Sequence, residues 1–162
     1  MSFFLGIAFD EPTRAAFARA LGLTKPHFPH AKWERVEKGH LTLVFLASLI
    51  PDDALVAEVV KRHAPLELRL RGGGTFRDRV LWLGVAGDLK PLSALQAELQ
   101  NALEIVDEHE GYTPHVTLAR GRKLSAAMLS SFESEPFAVR EVTLFESARG
   151  QYSVRATYPL GR

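Results

Sequence analysis

Residues 2–9 are almost continuously apolar, the pattern of a strand buried on both faces. Asp10 then stands as an N-cap and Pro12 in the first turn of a helix, positions those residues favour. Ala16, Phe17, Ala20 and Leu21 give that helix an apolar face running to about Leu23. The two prolines of Lys25–His30 exclude regular structure there. Trp33 to Val36 is expected as a short strand leading to Gly39. After Ile50-Pro51, Asp52 or Asp53 caps a second helix reaching about His63. Leu66 to Arg71 alternates cleanly, with leucines on one face and Glu67, Arg69 and Arg71 on the other. Gly72-Gly73-Gly74 reads as the flexible turn of a hairpin, because no Gly-Lys-Ser/Thr follows to make a phosphate loop. Val80 to Val85, with Trp82 inside it, is the returning strand. Leu92, Leu95, Leu99, Leu103 and Val106 then recur at helical spacing. Ser125 caps a short helix to about Phe132, ended by Glu135-Pro136. Residues 140–147 and 151–158 make two last strands, joined through Gly150-Gln151.

Two stretches share one pattern: His40-Leu41-Thr42-Leu43 and His115-Val116-Thr117-Leu118, the second approached through Gly111 and Pro114. On a strand successive side chains alternate faces. Leu41 with Leu43, and Val116 with Leu118, can therefore anchor a core, while His40 with Thr42 and His115 with Thr117 line an open surface. The element order β-α-β-α-β-β-α-β-α-β-β runs roughly twice through one theme. The expected fold is α+β: one domain over residues 1–162 with two pseudo-symmetric lobes. Each lobe is an antiparallel sheet with outer helices, and the two face each other across a central active-site groove.

Composition narrows the function. A chain of 162 residues with 46% hydrophobic and 24% charged residues is an ordinary globular composition. No run approaches the ~18 apolar residues of a membrane span, and the amino terminus reads as a strand, not a signal peptide. The absence of cysteine removes disulfides, thiolate metal sites and cysteine nucleophiles, and fits a cytoplasmic protein. A net charge of +1 does not advertise extended nucleic-acid binding, though a ligand touching few phosphates is compatible with it.

A lone histidine on a strand is ordinarily structural; two copies with equivalent threonine partners reverse that expectation. Histidine gives or takes a proton near neutral pH, and two facing one substrate can serve as base and acid. Two threonine hydroxyls suit a charged tetrahedral group such as phosphate. No serine or cysteine is paired with histidine and acid in a recognisable pattern, so direct attack by water or a substrate hydroxyl is the economical mechanism. His27, His30 and His109 could offer nitrogen ligands, but neither paired carboxylates nor regular histidine spacing supports a metal centre. No metal or cofactor is expected. A non-catalytic binding module using the same groove is the alternative; threonines and an arginine would suffice for it, and the intact histidines argue against it.

The stretches Gly39–Leu46 and Thr113–Arg120 resemble the paired signatures of the 2H phosphoesterase superfamily, and within it the RNA 2′,3′-cyclic phosphodiesterases, also called 2′-5′ RNA ligases. The likeness spans nearly the whole chain and includes the Phe4–Asp10, Arg79–Gly84 and Val142–Ser147 strands. Ala47 departs from it, since such proteins commonly carry glycine after Phe-Leu. The resemblance implies hydrolysis of a terminal 2′,3′-cyclic phosphate to a 2′-phosphomonoester without metal, in some relatives with reversible 2′-5′ joining of RNA ends. It implies catalytic roles for His40 and His115, phosphate contacts from Thr42 and Thr117, and RNA ends or cyclic nucleotides as partners; a monomer is expected. Arg120 matches the arginine that follows the second motif and helps hold phosphate. An ideal strand would place Arg120 on the face opposite Thr117, so a strand end or bend after Leu118 is required. Phe45 could stack a base or belong to the core. Arg77 and Arg79, and Arg149 with Tyr152 at the last hairpin, are candidates to guide RNA, although a solvated surface accounts for all four.

Overall fold

The computed structural model describes residues 1–106 and 111–161. The opening apolar run forms β1 (Ser2–Ala8), with Phe3, Phe4, Leu5 and Ile7 all buried. Asp10 caps α1 (Glu11–Thr24), its carboxylate accepting from the Thr13 N–H at 2.8 Å. The other elements are β2 (Lys32–Trp33), β3 (His40–Ala47), α2 (Asp53–Lys61), β4 (Leu66–Phe76), β5 (Val80–Gly87), α3 (Leu89–Ala102), β6 (His115–Arg120), β7 (Phe137–Val139), β8 (Glu141–Ala148) and β9 (Gln151–Pro159). Asp52 is the residue that caps α2, accepting from the Ala54 and Leu55 amides. No described helix is long and apolar enough to cross a membrane.

The α+β expectation holds as two antiparallel sheets, one ordered β3-β1-β8-β9 and the other β2-β6-β5-β4-β7. In both, the His-x-Thr strand pairs with the strand that precedes its helix: β3 with β1 around α1, and β6 with β5 around α3. The lobes are not the two halves of the chain, however. β8 and β9 return from the carboxyl end to complete the sheet begun by β1 and β3. One hydrophobic core joins the lobes. Leu5, Leu41, Leu43, Phe17 and Val56 pack in the same cluster as Leu81, Leu83, Leu92, Leu99, Val116 and Leu118.

Several boundaries differ from the sequence reading. The triple glycine is not a turn: it lies inside β4, and the hairpin turns at Arg77 and Asp78, both at positive φ (52° and 58°). Each glycine has a separate steric cause. Gly72 sits at φ +62° where β4 bulges against β5, a Cβ on Gly73 would meet Leu129 Cδ1 at 2.6 Å, and one on Gly74 would meet the Trp82 ring at 2.5 Å. Expected strand Trp33–Val36 is instead the two residues Lys32–Trp33 followed by a 3-10 turn at Val36–Lys38. Periodicity overshoots α3: Leu103 already lies past its end, Glu104 has φ 55°, and Val106 is 85% exposed. Ser125 precedes only a 3-10 turn at Ala127–Leu129, too short for the expected helix, and β7 was not anticipated.

Gly84 pairs with His115, and a Cβ there would lie 2.5 Å from the Arg71 carbonyl oxygen. Gly84→Ala is therefore expected to lower stability in urea unfolding by about 1–3 kcal/mol, the scale of overpacking against backbone. Gly22, on the exposed side of α1 with nothing within 4 Å of where a Cβ would stand, should behave oppositely. Gly22→Ala should gain about 0.4–1 kcal/mol from reduced unfolded-state entropy.

Candidate active site

Both motif strands begin with regular alternation and break it at the same place. Leu41, Leu43, Val116 and Leu118 are buried, as expected, while His40, Thr42, His115 and Thr117 are half-buried on the other face. In the ladder with β1, Leu5 pairs with Val44 and Gly6 with Thr42, leaving Leu43 as an extra residue. In the ladder with β5, Leu81 pairs with Ala119 and Trp82 with Thr117, leaving Leu118 extra. Each is a β-bulge, which shifts the following side chains by one position. Val44 and Ala119 consequently stay buried, whereas Phe45 and Arg120 emerge on the faces of Thr42 and Thr117. The bend required to bring Arg120 in is this bulge. Phe45 is 59% exposed and so is not a core residue.

Backbone carbonyls at and beside the bulges are taken up by other elements. Thr42 O accepts from the Tyr112 hydroxyl at 2.8 Å, Leu43 O from the buried Gln96 amide at 3.3 Å, and Leu118 O from the Glu34 N–H at 2.8 Å. Tyr112 stands three residues before His115, so its bond ties the first motif strand to the entry of the second. Its phenol pKa is raised by burial. Neither Tyr112 nor Gln96 carries a recognisable motif, and sequence reasoning missed both.

His40 Nδ1 lies 2.8 Å from the Lys38 carbonyl oxygen, and His115 Nδ1 lies 2.8 Å from that of Thr113. A carbonyl only accepts, so in both rings Nδ1 carries the hydrogen and Nε2 is left for chemistry. His40 Nε2 is 2.9 Å from Thr42 Oγ1. Both imidazoles rest against aromatic rings. His40 packs on Phe4 at 4.7 Å and Tyr152 at 5.3 Å between centroids; His115 packs edge-on against Phe76 at 4.9 Å and beside Trp82 at 5.9 Å. Burial lowers both imidazole pKa values. The carbonyl bonds oppose that shift. Nearby positive charge adds to it, from Lys38 and His115 at His40 and from Arg120 at His115. His40 thus senses the second imidazole.

Arg120 also lies close enough to Tyr152 to pull against the rise that burial and Glu34 impose on its phenol. The cleft therefore gathers His40, Thr42, His115, Thr117, Arg120 and Tyr152, with Phe45 on the same face as the first pair. Arg77 and Arg79 stand exposed at the β4–β5 tip; among the described residues neither side chain has a hydrogen bond or ion pair there. Arg149, at φ 53°, is exposed in the β8–β9 turn. The Trp82 indole nitrogen is buried without a partner among the described residues, a donor on the His115 side that the sequence did not single out. His30 Nε2 meets the Arg122 carbonyl at 3.0 Å, and His109 lies outside the described residues. Among the described residues no three His, Asp or Glu side chains converge as a metal site would require.

Residues 11–151 match the sequence profile of the 2′-5′ RNA ligase superfamily. The chain is 26% identical to an RNA 2′,3′-cyclic phosphodiesterase of Geobacillus stearothermophilus over 98% of its own length and 57% of the relative's. It thus spans little more than half of that relative. It is 30% identical to an RNA 2′,3′-cyclic phosphodiesterase of Aquifex aeolicus over 68% of each chain. Its fold matches the E. coli LigT crystal structure with 3′-AMP at a TM-score of 0.78 and 23% identity, covering 99% of this chain and 98% of that one.

The lowered imidazole pKa values fix a sign for stability. Above the unfolded value of about 6.5 neither state is protonated at these positions and their contribution is complete. As pH falls from there through the lowered native values, the unfolded chain takes protons first and stability is lost. Proton-NMR titration should give midpoints below about 6.5 for His40 and His115, and the urea midpoint should drop over the same window, less steeply in the His40→Gln/His115→Gln variant. A midpoint above 6.5 for either imidazole would mean a cleft too wet to shift it.

Proposed function

The chain belongs to the 2′-5′ RNA ligase superfamily, and from that premise we propose that it is an RNA 2′,3′-cyclic phosphodiesterase that works without metal by two-histidine acid–base catalysis. The observation that carries this reading is the pair of imidazoles, each pinned through Nδ1 to a backbone carbonyl and each left with Nε2 for the cleft. The names of the Geobacillus and Aquifex relatives supply the substrate class.

In the proposed reaction a cyclic phosphate occupies the cleft with Thr42, Thr117 and Arg120 on its non-bridging oxygens. Water attacks phosphorus as one imidazole takes its proton; the bond from phosphorus to the 3′ oxygen breaks, and the other imidazole protonates that oxygen. The product is a 2′-phosphomonoester with a free 3′ hydroxyl, and the proton gained by the base returns to the acid through solvent. In-line displacement needs entering and leaving oxygens on opposite sides, so base and acid must flank the phosphate. His115 is assigned as base, because among the described residues no side chain occupies its Nε2, whereas Thr42 occupies that of His40. His40 is the acid. The single negative charge of the cyclic phosphate offsets the positive surroundings of both rings and raises the acid's pKa in the complex. Phe45 is the proposed stacking partner of the terminal base, supported by its exposure on the Thr42 face.

His40→Ala and His115→Ala should fold normally and each lose at least ~10²-fold in turnover of a cyclic-phosphate-ended oligonucleotide in chelator. Thr42→Val and Thr117→Val should each cost about 1–3 kcal/mol in the transition state. Identification of the product tests reaction and regiochemistry together: a 3′-phosphate, or binding without turnover, rejects this reading, and the latter would favour an RNA-end binding module.

The pH dependence offers an independent check. A bell in kcat/KM is centred on the mean of the free enzyme's two macroscopic pKa values, whichever imidazole is base. Since both are lowered, the maximum should fall below about pH 6.5. A substrate with an activated leaving group should rescue His40→Ala far more than His115→Ala; the reverse would exchange the two roles.

A further inference from the structure

Beyond Tyr152 the cleft leads into a pocket of ≈ 220 Å³ lined by Arg35, Glu37, Lys38, Gln151 and Tyr152. The side chains of Arg35, Glu37 and Gln151 take no part in the proposed chemistry at the cyclic phosphate, and Lys38 orients His40 through its backbone carbonyl, which leaves its ammonium group for another role. Two separate segments build the pocket, the approach to β3 and the start of β9, and the Arg35 guanidinium joins them by donating to the Gly150 carbonyl at 2.6 Å. We propose that this pocket is a second anion site, which takes the phosphodiester linking the terminal nucleotide to its 5′ neighbour.

The pocket's charge is directed at the cleft. Lys38 Nζ is held 4.4 Å from the centre of the Tyr152 ring, a cation–π contact that leaves its N–H donors unspent. No carboxylate lies within ion-pair distance of it among the described residues. The Tyr152 ring in turn packs edge-on against His40, and the Lys38 charge reaches the His40 imidazole. Arg35 uses one nitrogen on Gly150 and one on Glu37 at 3.4 Å, out of five N–H donors. The Arg35–Glu37 pair is exposed on both sides, the kind of ion pair that holds its partners weakly and yields to a stronger anion. Glu34 is a second acidic group near this pocket, since it acts on the Tyr152 phenol. Arg120 acts on Tyr152 from the cleft side and extends the positive surface from the reacting phosphate toward the pocket.

The second motif has no counterpart to this feature. Thr113 matches Lys38 in position, two residues before the histidine, and in the carbonyl bond to Nδ1, but its side chain carries no charge. A pseudo-symmetric cleft is thereby given a direction: the upstream phosphate lies on the His40 side. The consequence is a preference for an oligonucleotide end over a cyclic mononucleotide, which lacks that phosphate.

This inference rests on the cyclic-phosphate reading and is tested by comparing adenosine 2′,3′-cyclic phosphate with the dinucleotide ApA ending in a 2′,3′-cyclic phosphate. The wild type should favour the dinucleotide in kcat/KM by about tenfold or more, the scale of a charge-assisted contact. Its log–log salt slope should be steeper by about 0.7, the share of one single-strand phosphate. Arg35→Gln and Lys38→Gln should each bring the dinucleotide-to-mononucleotide ratio toward one and remove the extra salt slope. A wild-type ratio near one, or a ratio unchanged in both variants, overturns the second site while leaving the cyclic-phosphate reading intact. If neither substrate turns over, that reading fails by itself. The anion site is then decided by calorimetric titration of His115→Ala protein with the corresponding 2′-phosphorylated mono- and dinucleotides. Tighter dinucleotide binding that Lys38→Gln abolishes upholds the site, and equal affinities reject it.

Discussion

One extra residue in each motif strand is the constraint on which the rest of the cleft depends. A strand with period two can put a histidine and the threonine two places on toward the same side, but it sends the residue three places beyond that threonine to the other side. Leu43 and Leu118 remove the conflict. Each adds a buried side chain to the core, and each returns the chain to phase so that Phe45 and Arg120 face the opening. The local cost is an interrupted ladder, and carbonyls at and beside each bulge are met by Tyr112, Gln96 and the Glu34 amide. Packing, register and site composition thus meet at the same few atoms. The aliphatic character of these two leucines matters as much as the polarity of their neighbours.

The same arrangement governs the electrostatics. Aromatic rings around the imidazoles make the cleft partly dry, which strengthens any charge interaction inside it but disfavours the protonated form of histidine. Carbonyls at Nδ1 counter part of this and fix the tautomer; Lys38 and Arg120 work in the opposite direction. The free cleft therefore sets positive side chains beside imidazoles whose protonation is disfavoured, a state suited to receiving an anion. On the proposed mechanism the arriving phosphate supplies the missing negative charge, so that a proton is held at the acid only when there is a substrate to receive it. Substrate binding and the protonation state of the pair are then one equilibrium viewed from two sides.

Much of this was legible in the sequence because it repeats or alternates. The paired His-x-Thr strands, the buried first strand, the Asp10 cap and the leucine face of Leu66–Leu70 follow from period and chemistry alone, and all stand as read. Strand parity also located the missing bend after Leu118, although it could not name a bulge. What eluded it depends on partners distant in sequence. Gly72-Gly73-Gly74 resembles a turn until Trp82 and Leu129 are known to lie against it. Tyr112 and Gln96 look like ordinary residues until the carbonyls that they satisfy are known to be free. For a related reason the motifs alone do not say which strand completes which sheet: that is decided by β8 and β9, far along the chain.

On the proposed reading a duplicated scaffold creates a further requirement, because displacement at phosphorus is not symmetric. One side must deliver water and the other must receive the leaving oxygen, yet two identical half-sites would bind the ester equally well in either direction. The differences between the lobes therefore carry information that their similarity cannot. Thr42 engages His40 Nε2 while His115 Nε2 has no such partner among the described residues; Phe45 stands where the other strand has Arg120; Lys38 stands where the other approach has Thr113. On the proposed reading these three substitutions act in one sense. They assign the base to the side with the open nitrogen, the nucleobase to the side with the aromatic ring, and the upstream chain to the side with the added cation. On that reading symmetry supplies the two imidazoles, and its local violations would set the order in which an RNA end is threaded between them.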